Sequence, residues 1–227
     1  MAISPAAVLF DLDGTLVDTI ELIMRSMEYA FAEFDGNRPT RSEWLEGLGI
    51  PLRTLIAARV RTEAELDVVI ARYRLFQGEH QDAMTRPYPG VAETLVSLTA
   101  NGHPMGIVTS KFHAGARRAL EHTGLLGHFG SVIGADSVEN AKPHPEPVHR
   151  ALTELGVSAS NAFMVGDSPH DIAAGNAAGV RTIAVGWGPF SRERLERARP
   201  THWISTFPEL ATLVAPLALQ PTSPPAH

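Results

Sequence analysis

Two patterns of apolar and polar positions take turns along this chain. Short apolar runs occur at Val8-Leu9-Phe10, Met105-Gly106-Ile107-Val108, Ser131-Val132-Ile133-Gly134, Ala162-Phe163-Met164-Val165 and Thr182-Ile183-Ala184-Val185. A run that does not alternate suits a strand covered on both faces, where neither side-chain direction meets water. Between the runs lie helical stretches: from Val91 to a stop at Asn101-Gly102, from about Ala114 to near Gly124, Pro145 to Leu155 closed by Gly156, and Asp171 to Ala178 closed by Gly179. Alternating strands and helices predict an α/β fold with a Rossmann-like, right-handed parallel sheet. Polar groups suited to phosphate follow the first, second and fourth strands, so those strands are neighbours if they form one site. Consecutive strands tend to lie side by side, which gives the order 3-2-1-4-5. That order reverses between strands 1 and 4, where such sheets open a ligand crevice.

One stretch interrupts the alternation. From Thr19 to about Arg86 the chain reads as helical and carries no strand-like run. Asp18 and Glu21 have capping-box spacing, and Ile20, Ile23, Met24, Met27, Phe31 and Phe34 then line one helical face, which Asp35-Gly36-Asn37 ends. Thr40 with Glu43 and Thr62 with Glu65 are two more capping-box pairs. A helix is predicted from about Glu63 to about Gln81, with Leu66, Val69, Ile70, Tyr73 and Phe76 inward. Pro87-Tyr88-Pro89-Gly90 punctuates the return to the main domain. The expected organisation is an α/β core from residues 1–18 and 87–215, a helical insertion at 19–86, and a fraying tail at 216–227 rich in Pro, Ala, Thr and Ser.

Composition narrows the function classes. Of the 227 residues, 44% are hydrophobic and 19% charged, which suits a globular rather than a disordered chain. The formal net charge is −6 and no Lys/Arg run could track a phosphate backbone, so no nucleic-acid partner is expected. With no cysteine, disulfides and thiolate metal sites are excluded. No basic-then-apolar leader opens the chain and no apolar run approaches a membrane span, so the expectation is a cytoplasmic protein without a membrane partner.

The chemistry begins where the first strand ends, at Asp11-Leu12-Asp13-Gly14-Thr15-Leu16. In an extended segment Asp11 and Asp13 point the same way, and two near carboxylates need a shared proton or a cation between them. Both devices serve phosphoryl transfer: an ionised Asp can attack phosphorus without losing a proton, and Mg²⁺ can neutralise charge and orient the phosphate. The same residues also suit a plain strand end followed by an Asx turn. After the second strand comes Thr109-Ser110-Lys111, whose hydroxyls and backbone N–H groups can hold phosphate oxygens. Lys142, before Pro143, offers a point positive charge. After the fourth strand, Gly166-Asp167-Ser168-Pro169-His170-Asp171 brings two more carboxylates. Asp11, the backbone carbonyl of Asp13 and Asp167 make an oxygen set of the kind Mg²⁺ takes, while Asp171 fits either an outer metal role or a helix N-cap. Arg53, within Glu46-Gly47-Leu48-Gly49-Ile50-Pro51-Leu52-Arg53, is open between a grip on a substrate carboxylate or second phosphate and a solvated helix position. His113, His144 and His170 read as polar loop residues near the site, and their spacing matches no zinc pattern.

These four motifs, in this order, resemble those of the haloacid-dehalogenase-like hydrolase superfamily in its phosphatase form. The resemblance runs from about Val8 to about Leu213. The helical insertion is similar to the small cap of the phosphoglycolate phosphatase-like subgroup, as are Pro87-Tyr88-Pro89-Gly90 and Ala184-Val185-Gly186-Trp187-Gly188. It implies Asp11 as nucleophile, Asp13 as general acid/base, Thr109 and Lys142 as phosphate ligands with Ser110 beside them, Asp167 as direct metal ligand and Asp171 as a water-mediated or orienting one. Ser110 departs from the Thr-Asn-Lys often found there. Haloacid dehalogenases themselves lack a carboxylate matching Asp13.

The expected activity is a Mg²⁺-dependent phosphatase of a small phosphorylated metabolite, working through an aspartyl-phosphate, with 2-phosphoglycolate as leading substrate and pyrophosphate close behind. The links near Leu16–Thr19 and Arg86–Gly90 are the expected hinges of a cap that closes over the crevice. A β-phosphoglucomutase-like transferase is the alternative within the same chemistry, but no sugar-binding signature accompanies it. A non-enzymatic phosphate-binding role would leave the full set of acid, cation and hydroxyl groups unused. A monomer and a homodimer fit equally.

Overall fold

The structure is a computed structural model, described here for residues 5–34, 36 and 38–215. Its elements in order are β1 (Ala7–Phe10), β2 (Val17–Asp18), α1 (Ile20–Ala30), α2 (Arg41–Glu46), α3 (Leu52–Ala57), α4 (Glu63–His80), β3 (Arg86–Pro87), α5 (Val91–Ala100), β4 (Met105–Val108), α6 (His113–His122), β5 (Ser131–Ile133), α7 (Glu146–Leu155), β6 (Ala162–Gly166), α8 (Pro169–Ala178), β7 (Arg181–Val185), α9 (Arg192–Arg197), β8 (His202–Ile204) and α10 (Glu209–Val214). Six strands form one parallel sheet in the order β5-β4-β1-β6-β7-β8. The five strands read from the apolar runs take the predicted order, and β8 extends that sheet at its far edge. His202-Trp203-Ile204 carries no apolar run because β8 is an edge strand with its first residue exposed.

Period-two alternation explains why the strands are apolar throughout. In β1, Val8 and Phe10 enter one core layer with Leu95, Leu98, Leu120 and Leu210, while Ala7 and Leu9 enter the other with Val148, Leu152 and Ala174. β6 splits likewise, Phe163 and Val165 to the first layer and Ala162 and Met164 to the second. β1 lies at the centre, with Leu9 opposite Gly106 of β4 on one side and Met164 of β6 on the other. The chain segments leaving β1, β4 and β6 therefore emerge side by side.

The stretch between β2 and β3 folds about its own apolar cluster, in which Met24, Met27, Phe31, Trp44, Ile56, Leu66 and Tyr73 are buried. Thr40 makes a full capping box with Glu43: the Glu43 N–H donates to Thr40 Oγ1 at 3.3 Å and the Thr40 N–H donates to Glu43 Oε2 at 2.8 Å. Thr62 caps α4 through the Glu65 N–H, but the Glu65 carboxylate reaches the Arg61 N–H instead. Asp18 does not cap α1. It sits in β2, paired with Arg86 of β3, and Thr19 occupies the N-cap position without a side-chain cap bond because its hydroxyl donates to Asp13 at 2.7 Å. The two links between the units are thus zipped into an antiparallel ribbon, Val17 opposite Pro87. The helix stop expected at Asp35 and Asn37 and the tail from Pro216 fall outside the described residues; α1 ends at Ala30. Among the described residues no helix is long and apolar enough to cross a membrane.

Candidate active site

Asp11 stands one residue beyond β1, and its N–H donates to the carbonyl of Val165 in β6, which fixes the start of the following turn. Gly14 completes that turn at φ +89°, and a Cβ there would come within 2.5 Å of Asp167 Oδ2. Only a glycine lets the turn lie this close to the carboxylate that follows β6. Thr15, in the same turn, donates its hydroxyl to Asp167 Oδ1 at 2.8 Å, and Trp187 clamps the turn by donating Nε1–H to the Thr15 carbonyl at 3.1 Å.

Lys142 is the hub of the buried site. Its ammonium donates to Asp11 Oδ1 at 2.7 Å, to Asp171 Oδ1 at 2.5 Å and to the Val108 carbonyl at 2.9 Å. Asp171 is wholly buried and turns its other oxygen to Ser168, accepting from the backbone N–H at 2.9 Å and the hydroxyl at 2.6 Å. The N-cap of α8 is therefore Ser168, with Asp171 the reciprocating third residue of the box, not a cap itself. Both Asp171 oxygens are engaged, so its direct effect is to fix Lys142 and the turn after β6.

The charges are unbalanced. One oxygen each of Asp11, Asp167 and Asp171 lies within 4.8 Å of the others, and the single ammonium of Lys142 pairs with Asp11 and Asp171 only. Burial pushes Asp11 up to about 7; Lys142 opposes this, while Asp171 and Asp13 add to it. Asp167 is driven well above the usual carboxylate range, first by burial and then by the Asp11 and Asp171 charges. Burial draws Lys142 down, but Asp11 and Asp171 outweigh it and hold the ammonium above its ordinary value. A buried, all-oxygen site with two uncompensated negative charges fits a hard divalent cation.

Asp13 faces the same space with different partners. It accepts from Thr19 Oγ1 and, at 3.2 Å to each carboxylate oxygen, from Lys111 Nζ. Thr109 is buried at the end of β4; its oxygen accepts from the Lys111 N–H at 3.1 Å and its own proton stays available. Ser110 lines the same space with its hydroxyl engaged: it donates to the Gly49 carbonyl, across the gap to the helical unit, at 2.6 Å. Asp11, Asp13, Thr109, Ser110 and Asp167 all line one cavity of about 490 Å³, roofed by the helical unit. Lys142 and Asp171, both buried, are not among its lining residues.

Arg53 is not brought to this cavity. Its guanidinium pairs with Glu63 and with Asp67 (3.1 Å) and its side chain is 55% exposed, so the surface position wins over the substrate grip. The cations that do line the cavity are Lys111, Arg74 and Arg118. Arg118 is bidentate to Asp82 at 3.0 and 2.9 Å and also donates to the Gly78 carbonyl, tying α6 to the end of α4. Sequence reasoning assigned the Lys111 ammonium, Thr15 and Thr19 no part of their own in the site. Their short spacing from Thr109, Asp11 and Asp13 was the available signal, but the pairings lie between distant segments. His170 is half-buried beside Asp171, and burial lowers its pKa.

The chain belongs to the haloacid dehalogenase-like hydrolase family, whose profile matches residues 8–185. It is similar to pyrophosphatase PpaX of Anoxybacillus flavithermus, with 38% identity over 207 residues that cover 91% of this chain and 95% of that protein. Among solved structures it resembles a predicted phosphatase from Clostridium acetobutylicum, with 27% identity, a TM-score of 0.82, and coverage of 93% of this chain and 99% of that one. The fold is shared with a predicted phosphoglycolate phosphatase from Haemophilus somnus, with 24% identity, a TM-score of 0.84, and coverage of 94% and 99%.

Proposed function

We propose that this protein is a Mg²⁺-dependent phosphatase of small phosphorylated metabolites that works through an aspartyl-phosphate on Asp11. The observation that carries the reading is Asp11 itself: a buried carboxylate at the end of the central strand, fixed through one oxygen by Lys142 and opening on a cavity that also holds Asp13 and Thr109. Asp11 Oδ1 is committed to Lys142, which leaves Oδ2 as the attacking atom. Thr109 and its neighbouring N–H groups hold the phosphoryl oxygens, and Lys142 offsets the charge gathered on Asp11. Asp13, aimed by Thr19 and Lys111, gives a proton to the leaving oxygen and takes one back from the water that hydrolyses the aspartyl-phosphate. The carboxylates of Asp11 and Asp167 and the backbone carbonyl of Asp13 would hold Mg²⁺, which when bound neutralises charge on the phosphate. Residues 19–86 act as the cap and residues 1–18 and 87–215 as the catalytic core.

Pyrophosphate hydrolysis is the second reading, supported by the activity named for the relative from Anoxybacillus flavithermus. The test is phosphate release from a panel containing 2-phosphoglycolate, pyrophosphate and β-glucose 1-phosphate, with and without Mg²⁺, for the wild type and Asp11→Asn. Mg²⁺-dependent release that vanishes in the variant is expected. Release that persists in Asp11→Asn would remove the nucleophile assignment, and isomerisation of β-glucose 1-phosphate without release would favour a transferase.

A further inference from the structure

The roof of the cavity has a composition that neither 2-phosphoglycolate nor pyrophosphate explains. Opposite Asp11 it is built from Ile20, Ile23 and Met27 of α1, Leu52 and Leu55 of α3, and Tyr73 of α4. A space of about 490 Å³ is no packing defect, since protein interiors leave few voids larger than a water molecule, and it falls within the range of small-molecule sites. The phosphoryl group fills only the end nearest Asp11.

The cations around the remainder are largely committed. Arg118 is matched by Asp82, Lys111 spans both oxygens of Asp13, and Arg53 lies outside. Arg74 is exposed at the rim with its guanidinium 4.4 Å from the centre of the Phe112 ring. A second phosphate or a carboxylate placed deep under the roof would lose its water against hydrocarbon, with Lys111 and Arg118 already matched by carboxylates and Arg74 out at the rim. An alkyl or aryl group gains there what the charged group loses. Three polar side chains of this part also line it: the Tyr73 hydroxyl accepts from Gln77 Nε2 at 2.9 Å and keeps its own proton to donate, and Gln81 Nε2 donates to the Gly115 carbonyl at 3.1 Å.

We propose that the leaving group is hydrocarbon, so that the substrate class is the phosphate monoester of an alkyl or aryl alcohol. This rests on the phosphatase reading above. The bond from Asp11 to phosphorus forms as the bond from phosphorus to the alcohol oxygen breaks, and Asp13 protonates the departing alkoxide. Water then attacks the phosphorus as the bond from phosphorus to Asp11 breaks and frees its carboxylate, and the water's proton returns to Asp13, so the products are the alcohol and inorganic phosphate.

The experiment is a ladder of ethyl, butyl and hexyl phosphate against pyrophosphate and 2-phosphoglycolate with Mg²⁺, alongside calorimetric binding of methyl-, butyl- and hexylphosphonate. Burial of each methylene should raise kcat/KM, and tighten phosphonate binding, by about three- to fourfold, and hexyl phosphate should exceed both charged substrates at least tenfold. Leu55→Asn and, separately, Leu52→Asn should flatten the chain-length slope. A flat phosphonate ladder, or pyrophosphate or 2-phosphoglycolate as the best substrate, overturns the proposal and leaves the phosphatase standing. A steep phosphonate ladder with no ester turned over supports the apolar pocket and removes the phosphatase reading instead.

Discussion

Lys142 Nζ lies 2.7 Å from Asp11 Oδ1, and the two residues are 131 positions apart in the chain. The same ammonium holds Asp171, so one side chain ties the end of β1 to the turn after β6. Replacing it by methionine keeps the length and removes the charge, leaving three buried carboxylates without a counter-ion. Lys142→Met should lower kcat by at least about 10²-fold and cost about 3–5 kcal/mol of stability. Steady-state kinetics with thermal unfolding checks this; a stable variant with near-normal kcat would show that the ammonium serves neither role.

The raised Asp11 pKa has a definite sign. Folding lifts this group from 3.8 to about 7, so between those values the folded protein binds a proton that the unfolded chain releases. The stabilisation from the protonated form is complete below the unfolded value and is lost as pH rises through about 7. The metal-free wild type should therefore lose Tm between pH 5 and pH 8, and Asp11→Asn should lose less and melt higher at pH 8. Mg²⁺ should restore the wild type at pH 8 and leave the variant largely unmoved. Parallel Tm curves for the two proteins would contradict this.

Gly14 sits where no side chain fits. Alanine there meets Asp167 Oδ2 at 2.5 Å and adopts φ +89°, which disfavours any L-residue by about 1–2 kcal/mol. Gly14→Ala should displace the Asp167 carboxylate and weaken Mg²⁺ dependence by about 10- to 100-fold. A Mg²⁺ titration of activity reads the shift, and an unchanged half-saturation point would show that Asp167 does not need its present position.

Ser110 offers a choice between two roles. Its hydroxyl bridges to Gly49 of the helical unit, and Gly49, at φ +88°, packs against Ser168 so closely that a Cβ would fall 2.9 Å from its hydroxyl. If Ser110 latches the cap, Ser110→Ala removes about 1 kcal/mol from the closed form. KM then rises several-fold while kcat changes little, and amide exchange at residues 47–51 accelerates. If the hydroxyl instead grips the transferring phosphate, kcat falls about 10²-fold and exchange is unaffected.

The unbroken apolar runs of β1, β4, β6 and β7 determined a parallel sheet buried on both faces, because only that burial makes both side-chain directions apolar. The ends of the first three runs located Asp11, Thr109 and Asp167, and the missing strand signal from Thr19 to Arg86 marked the helical insertion. Such features are local, set by periodicity and turn chemistry within a few residues. The edge strand β8 and the six-residue helices α9 and α10 escaped because they are short and draw their order from the sheet and core they cover. Which cation meets which carboxylate was beyond the sequence. Lys142 and Lys111 are alike as residues, yet one is buried against Asp11 and Asp171 and the other spans Asp13, while Arg53, within the expected cap loop, turns outward to Glu63 and Asp67. Those pairings depend on the register of distant segments and on which groups lose their water, and only the packed chain decides them.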